Sequence, residues 1–298
     1  MPRPTAAFLA ALGLASLAAP ASAQLAGTGL DSARPTHIEA RNGIEWQQNN
    51  HVYIARGHAV ATRGETSVVA DVLYAYYRPV GPVSETTPRT KDSNPLTSSG
   101  STEIYRLEAD GHVVFTNTNR TAYGDHAVYD VDKAVMVVTG KDLRIVSPTD
   151  TITARDSIEW FDHEQLAVAR GNAVATREDR HMRADVITAE VVHPDNAPAR
   201  VEKVNGYGNV LVSSPDQIAH GDKAVYNLDS GIATLLGHVS VTKGDDELRG
   251  QYAVVDTKNN VSRVLASPPD AQIASGKTPR VEGLLVPNHQ AGPDRAAE

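Results

Sequence analysis

Leu166-Ala-Val-Ala-Arg170-Gly171-Asn172-Ala-Val-Ala-Thr176, a polar turn Arg177-Glu-Asp-Arg180, and then Arg183-Ala184-Asp185-Val-Ile-Thr-Ala189 decide how this chain folds. Both halves have strand character, and the Gly inside the first suggests a bulge or a close backbone approach, not a break. The unit is therefore a pair of strands joined by a turn.

The same unit returns along the chain. Its glycines are Gly57, Gly111, Gly140, Gly171, Gly208 and Gly237, each followed by a small residue: Ala70, Gly124, Ala154, Ala184, Gly221 and Gly250. The intervals are 13, 13, 14, 13, 13 and 13 residues. A fixed period marks supersecondary units that stack, so the fold class is all-β and the architecture a solenoid or an open stacked sheet. About fourteen strands are expected, roughly seven to a sheet and ~34 Å of stack. Turn residues agree: Ser147-Pro148-Thr149-Asp150 and Lys243-Gly244-Asp245-Asp246 follow Gly strands, while Asp130-Val-Asp132-Lys133 and Asn227-Leu-Asp229-Ser230-Gly231 follow Asp strands.

Side chains two apart in a strand share a face. Counting two and four residues past each Gly gives Ala59/Ala61, Val113/Phe115, Ala173/Ala175, Val210/Val212 and Val239/Val241, an apolar face. At Gly140 the same count meets Asp142 and Arg144, but there the interval is 14; one extra, bulged residue restores Leu143 and Ile145. After the Asp-bearing pairs the count gives Leu73/Ala75/Tyr77, Ala127/Tyr129, Ile187/Ala189 and Ala224/Tyr226. Asp71, Asp125, Asp185 and Asp222 are expected at strand starts or turns, as a repeated structural position.

A larger duplication overlies the small one. Ile38 to Arg63 returns at Ile152 to Arg177, offset by 114 residues with 14 of 26 positions identical. Two homologous β modules are expected, 24–150 and 151–266, the first carrying a Pro/Ser/Thr-rich insertion at 78–101 that reads as a surface loop. A Pro/Gly-rich segment, 267–298, follows, with a possible edge strand at 281–286. Residues 1–23 read as a cleavable secretory signal peptide: Arg3, an apolar Ala6 to Ala19, and the Ala21-Ser22-Ala23 cleavage pattern.

Composition narrows the function. No cysteine is present, which removes disulfides, thiolate metal sites and Cys nucleophiles. The formal net charge of −8 disfavours a nucleic-acid partner. Apolar residues are 41% of the chain but aromatic ones 5%, so Ala and Val do the packing, as suits a thin sheet stack. Catalytic motifs are lacking: no His-Glu-x-x-His, no Gly-x-Ser-x-Gly, no acid/base cluster outside the repeat. No enzyme, metal or cofactor is expected. Asp162-His163-Glu164 falls in the turn equivalent to Gln48-Asn49-Asn50, and His58, His112 and His238 fall at the polar position after a repeat Gly, where a surface residue is expected.

Pro35-Thr36-His37-Ile38-Glu39-Ala40, the repeated Gly-Asn/His strands, Gly221-Asp-Lys-Ala-Val-Tyr226 and Arg280-Val-Glu-Gly-Leu-Leu-Val-Pro287 together resemble the LptA/OstA-like family of periplasmic lipopolysaccharide-transport proteins. The chain departs from it in length and in the 78–101 insertion. The resemblance implies an open antiparallel β-jelly roll, V-shaped or taco-like, with lipopolysaccharide acyl chains in an apolar groove between its sheets. The groove lining would be Ala59, Ala61, Val113, Phe115, Leu143, Ile145, Ala173, Ala175, Val210, Val212, Val239 and Val241. It further implies a periplasmic location, head-to-tail self-association, an LptC-like inner-membrane partner and an LptD-like outer-membrane partner. Ile38, Ile44, Trp46, Val281, Leu284, Leu285 and Val286 would be the docking edges. Two rivals use the same repeat: a structural or adhesive β scaffold with a filled interior, and a polysaccharide-active β-helix.

Overall fold

The computed structural model describes residues 36–79, 102–194, 200–256, 258–259, 261–267 and 280–284. Among them lie eighteen strands. They are β1 His37–Glu39, β2 Ile44–Gln47, β3 Val52–Arg63, β4 Thr66–Pro79, β5 Thr102–Asn117, β6 Arg120–Asp130, β7 Val135–Thr139, β8 Arg144–Val146 and β9 Asp150–Thr153. The second half of the chain continues with β10 Ser157–Phe161, β11 Leu166–Arg177, β12 Arg180–Val192, β13 Arg200–Ser214, β14 Gln217–Asn227, β15 Ile232–Lys243, β16 Asp246–Asp256, β17 Val261–Leu265 and β18 Glu282–Leu284. All pairings are antiparallel between chain neighbours or near neighbours.

The repeat glycines explain the shape. In the β3–β4 ladder Arg56 pairs with Val72 and Ala59 with Ala70, so Gly57 and His58 together oppose the single residue Asp71. The same two-against-one count recurs where Gly111-His112 opposes Asp125, and at Gly171-Asn172, Gly208-Asn209 and Gly237-His238. These are β-bulges, which bend a strand and steepen its twist. Both residues of each pair have positive φ: 76° and 48° at Gly111-His112, 73° and 44° at Gly237-His238. Asn and His tolerate this left-handed region better than most side chains, and Gly occupies it without cost from a Cβ. The neighbouring strand adds a second demand for Gly: a Cβ at Gly111 or Gly237 would collide with the carboxylate of Asp71 or Asp222.

Asp71, Asp185 and Asp222 thus lie in the middle of long strands, and Asp125 does too, which corrects the expectation of strand starts or turns. Their carboxylates latch the bulges. His112 Nδ1 lies 2.8 Å from Asp71 Oδ2, Asn209 Nδ2 donates to Asp185 Oδ2 at 2.8 Å, and His238 Nδ1 lies 2.7 Å from Asp222 Oδ2. At Gly140 the structure goes further than a bulge. β7 ends at Thr139 and β8 begins at Arg144, so one strand has become two, and the backbone N–H of Lys141 donates to Asp125.

Because the line of bulges crosses every long strand, either within it or opposite it, the two segments of each belong to two different sheets. Sheet I runs β2, β3, β4, β5, β6, β7, β10, β11 and on to β16 and β17; sheet II runs β1, β3, β4, β5, β6, β8, β9, β11 and on to β16 and β18. Each sheet has fourteen rungs among the described residues, twice the number expected from sequence. Thirteen spacings of about 4.8 Å make a stack about 62 Å long, not ~34 Å. The error lay in treating each strand as a member of one sheet.

The two sheets face each other. Ala169, Ile187, Ala224 and Leu235 of sheet I pack in one core cluster with Ala173, Ala184, Val210 and Val239 of sheet II. A smaller cluster joins Ala109 of sheet I to Ala70 and Val113 of sheet II. The result is an all-β, open antiparallel β-jelly roll. Its internal duplication is visible in the rungs, since β1 and β2 flank β3 as β9 and β10 flank β11. Of the expected insertion, Arg78 and Pro79 belong to β4, with Pro79 paired to Thr102. Residues 80–101, the signal peptide, and Leu285 and Val286 lie outside the described residues.

Candidate functional site

Reading the inner face outward from the bulges gives lateral rows, each an unbroken series of cross-strand neighbours. In sheet II the first row contains Ala59, Ala70, Val113, Gly124, Leu143 and Ala154, then Ala173, Ala184, Val210, Gly221, Val239 and Gly250. All are small or aliphatic, and Ala59, Ala173 and Val210 are essentially inaccessible. Small residues let the two sheets approach closely at this seam. The second row is Ala61, Val68, Phe115, Ala122, Ile145 and Ile152, then Ala175, Met182, Val212, Ala219, Val241 and Leu248. It is wholly apolar, larger, and mostly half-buried.

Sheet I mirrors this. Its seam row includes Ala55, Leu73, Ala109, Ala127, Val138, Ile158, Ala169, Ile187, Gly206, Ala224, Leu235 and Ala253. Its next row carries Tyr53, Leu107, Tyr129, Met136, Trp160 and Tyr226. In sheet II side chains grow and exposure mostly rises away from the seam, and in sheet I the aromatic members of the second row do the same while Ala75, Ala189 and Tyr77 stay buried. The space between the sheets is a wedge, closed at the bulges and open at the far ends of the strands. It runs the length of the stack, lined by hydrocarbon.

The twelve sequence-predicted lining residues divide: Ala61, Phe115, Ile145, Ala175, Val212 and Val241 stand in the second row, whereas Ala59, Val113, Leu143, Ala173, Val210 and Val239 are sealed in the seam, where the bulges bring the sheets together, and belong to the core instead of an open lining. Sequence reasoning missed the partners supplied by the intervening strands, Val68, Ala122, Ile152, Met182, Ala219 and Leu248. Each stands two residues before the small residue that closes its repeat, so the same period-2 count run backwards from Ala70 or Ala184 finds them. Also missed was the sheet I contribution of Tyr53 and Trp160.

The ends of the groove differ. At the amino-terminal end Trp46 stacks on Tyr53 with ring centroids 5.9 Å apart, and its indole N–H donates to the Tyr77 hydroxyl at 2.8 Å. Burial, with the Tyr77 charge next, holds the Tyr53 phenol above its ordinary range. Trp46 and Ile44 therefore belong to edge strand β2 yet face the groove, with 39% and 54% of their surfaces exposed. Ile38 sits in edge strand β1, beside Ala61. At the other end the edges are β17 and β18, where Leu284 is 60% exposed and Val281 just precedes β18.

Beyond the second row of sheet II comes a third, at the turns. With the register carried to the turn residues, it reads Arg63, Thr66, Asn117, Arg120, Ser147 and Asp150, then Arg177, Arg180, Ser214, Gln217, Lys243 and Asp246. Every position is polar. Arg177 Nη2 donates to Asp150 Oδ2 at 2.9 Å, which holds the Asp150 carboxyl below its usual range.

Elsewhere clusters of polar side chains pair among themselves. A hollow of about 570 Å³ on the outer surface is lined by Arg155, Asp156, Arg170, Asn172, Arg183 and Asp185. There Arg155 is bonded to Asp156, Arg170 to Glu159 and Arg183 to Asn172. Asp162 accepts the Trp160 indole N–H at 3.0 Å, which gives that turn carboxylate a structural task. No group of three or more His, Asp or Glu able to hold a metal occurs among the described residues.

A family model described as the LptA/(LptD N-terminal domain) LPS transport protein matches this chain twice, at residues 37–158 and 151–261. The chain belongs to that family. Membership places it in lipopolysaccharide transport, in a family of transport proteins, and the two matches coincide with the duplication seen in the rungs. Among solved structures, that of LptH from Pseudomonas aeruginosa, described as the LptA homologous periplasmic component of the lipopolysaccharide transport device, is 20% identical. The match covers 46% of this chain and 95% of that one at a TM-score of 0.40. No curated protein sequence matches the chain.

Proposed function

We propose that this chain is a periplasmic carrier that shields lipopolysaccharide acyl chains in the wedge between its sheets, and bridges inner- and outer-membrane transport components by end-to-end docking. The observation that carries the reading is the pair of apolar rows on facing sheets, continuous over about 62 Å and half-buried toward the mouth. A linear hydrocarbon ligand gains about 0.8 kcal/mol per buried CH₂, so several acyl chains bind strongly without a shaped pocket. A lining without fixed polar partners lets such a ligand slide along the stack.

The bridging part rests on the edges. β1 and β2 at one end, β17 and β18 at the other, present unpaired backbone groups that a further strand can extend. Ile38, Ile44, Trp46, Val281, Leu284 and, in the adjoining segment, Leu285 and Val286 are the proposed contacts with an LptC-like domain, an LptD-like domain or another copy. The periplasm is the compartment in which such a bridge works, reached through cleavage after residue 23.

The test is the lipid that accompanies the protein. Purified from the periplasm, it should carry lipopolysaccharide detectable by mass spectrometry, and Phe115→Asp should strip it, since a charge among half-buried apolar side chains opposes hydrocarbon. A folded wild-type protein devoid of acyl lipid favours the filled scaffold instead.

A further inference from the structure

The cations at the two lips of the wedge, one on each sheet, are treated differently. At the sheet I turns each has a partner: Arg78 on Asp132 at 2.8 Å and on Glu103 at 3.1 Å, Lys133 on Asp130 at 2.9 Å, Arg200 on Asp229 at 2.8 Å, and Lys258 on the carbonyl oxygen of Asp229. In the third row of sheet II, Arg177 is held by Asp150 and Arg63 is engaged as well. Arg120, Arg180 and Lys243 stand apart: among the described residues none makes a side-chain hydrogen bond or ion pair.

Arg120 is the telling case. It is half-buried beside Ala122 of the apolar row, and burial pulls its guanidinium below the ordinary range, with Asp150 the countercharge that opposes this. Asp150 itself is already committed to Arg177. A guanidinium offers five donors, and leaving them unmet next to hydrocarbon is costly unless something arrives to accept them. Arg180 lies four strands further along the row and Lys243 three beyond that, about 19 and 14 Å at the strand spacing. All three sit one step outside an apolar row, the place where a lipid's polar headgroup meets its chains.

We propose that Arg120, Arg180 and Lys243 are successive stations along the stack, each of which can receive the anionic, phosphate-bearing headgroup of an amphiphile whose acyl chains fill the wedge beside it. This rests on the groove reading above. The turn tips beyond the row carry Glu65, Glu178, Asp179, Asp216 and Asp245, so the lip is not a basic patch and long-range attraction is weak. Recognition is by contact: charge-assisted, bidentate hydrogen bonds from Arg to phosphate oxygens and a point charge from Lys. An acidic surround also discourages a free anion that has no hydrocarbon to hold it in place.

The test compares two probes with identical chains, an acylated glucosamine disaccharide bisphosphate and its dephosphorylated form, binding to the full-length mature protein. Wild type should prefer the phosphorylated probe by about tenfold, the worth of one good charge-assisted contact. The triple variant Arg120→Gln, Arg180→Gln, Lys243→Gln should lose that preference and bind the dephosphorylated probe as wild type does. Its melting temperature should be unchanged or higher, because no intramolecular partner is lost. Arg180→Gln with Lys243→Gln, both exposed, should lower the preference without touching the half-buried Arg120. Preference that survives in the triple variant overturns the proposal, as does wild type binding both probes equally. Displacement of the phosphorylated probe by the chainless disaccharide bisphosphate at equal concentration would show a free-anion site and overturn it too. Failure of wild type to bind either probe is a different result and overturns the groove itself.

Discussion

The seam and the mouth of the wedge are built from the same strands and the same face, yet they obey different rules. Val210 is 1% exposed at the seam; Val212, two residues on, is half-buried at the mouth. The residue type is the same at both, Val two apart on one face of the run Asn209-Val-Leu-Val-Ser213. What separates them is distance from the bulge at Gly208-Asn209, which brings the sheets together at one row and lets them diverge by the next. Seam residues should therefore act on stability and, on the proposed function, mouth residues on what the wedge holds.

The largest effect should come from a charge at the seam. Val210→Asp buries an unpaired carboxylate between the two sheets and should cost more than about 3 kcal/mol, enough to unfold the module. Val212→Asp should leave the circular dichroism spectrum and most of the melting temperature intact while abolishing acyl-lipid binding. Equal destabilisation by both would dissolve the distinction between seam and mouth.

Next is the bulge that makes the seam. Gly237→Val forces a β-branched residue to φ near +73° and drives its Cβ into the Asp222 carboxylate, for a loss of about 2–4 kcal/mol by chemical denaturation. Gly244, in the turn at the mouth, has positive φ but open space around it, so Gly244→Ala should cost only about 1 kcal/mol. A Gly237→Val protein as stable as Gly244→Ala would mean that backbone strain alone, not the Asp latch, selects Gly in the repeat.

Most of this was legible in sequence, and the parts that were not have a common cause. Period-2 counting from Gly171 or Gly208 identifies the apolar face because burial on one side of a strand imposes alternation. The interval of 14 at Gly140 shows that something interrupts the strand there, though not that β7 and β8 separate outright. What alternation cannot see is a pairing between distant residues. Gly111 requires Asp71, 40 positions earlier, and that partner appears only when β4 and β5 lie side by side. For the same reason the aspartates looked like turn residues: locally Asp favours turns, and here the bulge across the strand supplies its hydrogen-bond donor instead. The polar third row was missed because its members flank the turns, where polar residues need no further explanation.

The edges invite a smaller, intermolecular test. Ile44→Lys and Leu284→Lys place charges on strands β2 and β18 at opposite ends of the stack, a substitution that blunts edge pairing. If copies join head to tail, sedimentation velocity should show concentration-dependent growth for wild type and less for either variant, with no change in unfolding free energy beyond about 0.5 kcal/mol. Because a heterologous contact needs one end of each kind, mixing the two variants should restore one contact per pair and yield dimers without longer chains. Growth of both variants equal to wild type would remove these edges from the bridge.

The smallest effect concerns the latch at a single bulge. His112 and His238 occupy the position that Asn172 and Asn209 occupy elsewhere, all with φ between 44° and 50°. The Asp71 carboxylate, first by hydrogen bond and then by charge, holds the His112 imidazole above its ordinary value. A raised folded-state pKa makes this contribution complete below the unfolded value of about 6.5 and removes it as pH rises through the folded value. The pair is exposed, so solvent screening keeps the contribution small. His112→Asn should keep the bulge, since Asn209 donates to Asp185 from the equivalent place, and should flatten the dependence of melting temperature on pH above about 6.5. At alkaline pH variant and wild type should melt together, with the wild type ahead only on the acid side. A wild-type advantage that grows as pH rises would have the wrong sign for a latch tightened by protonation.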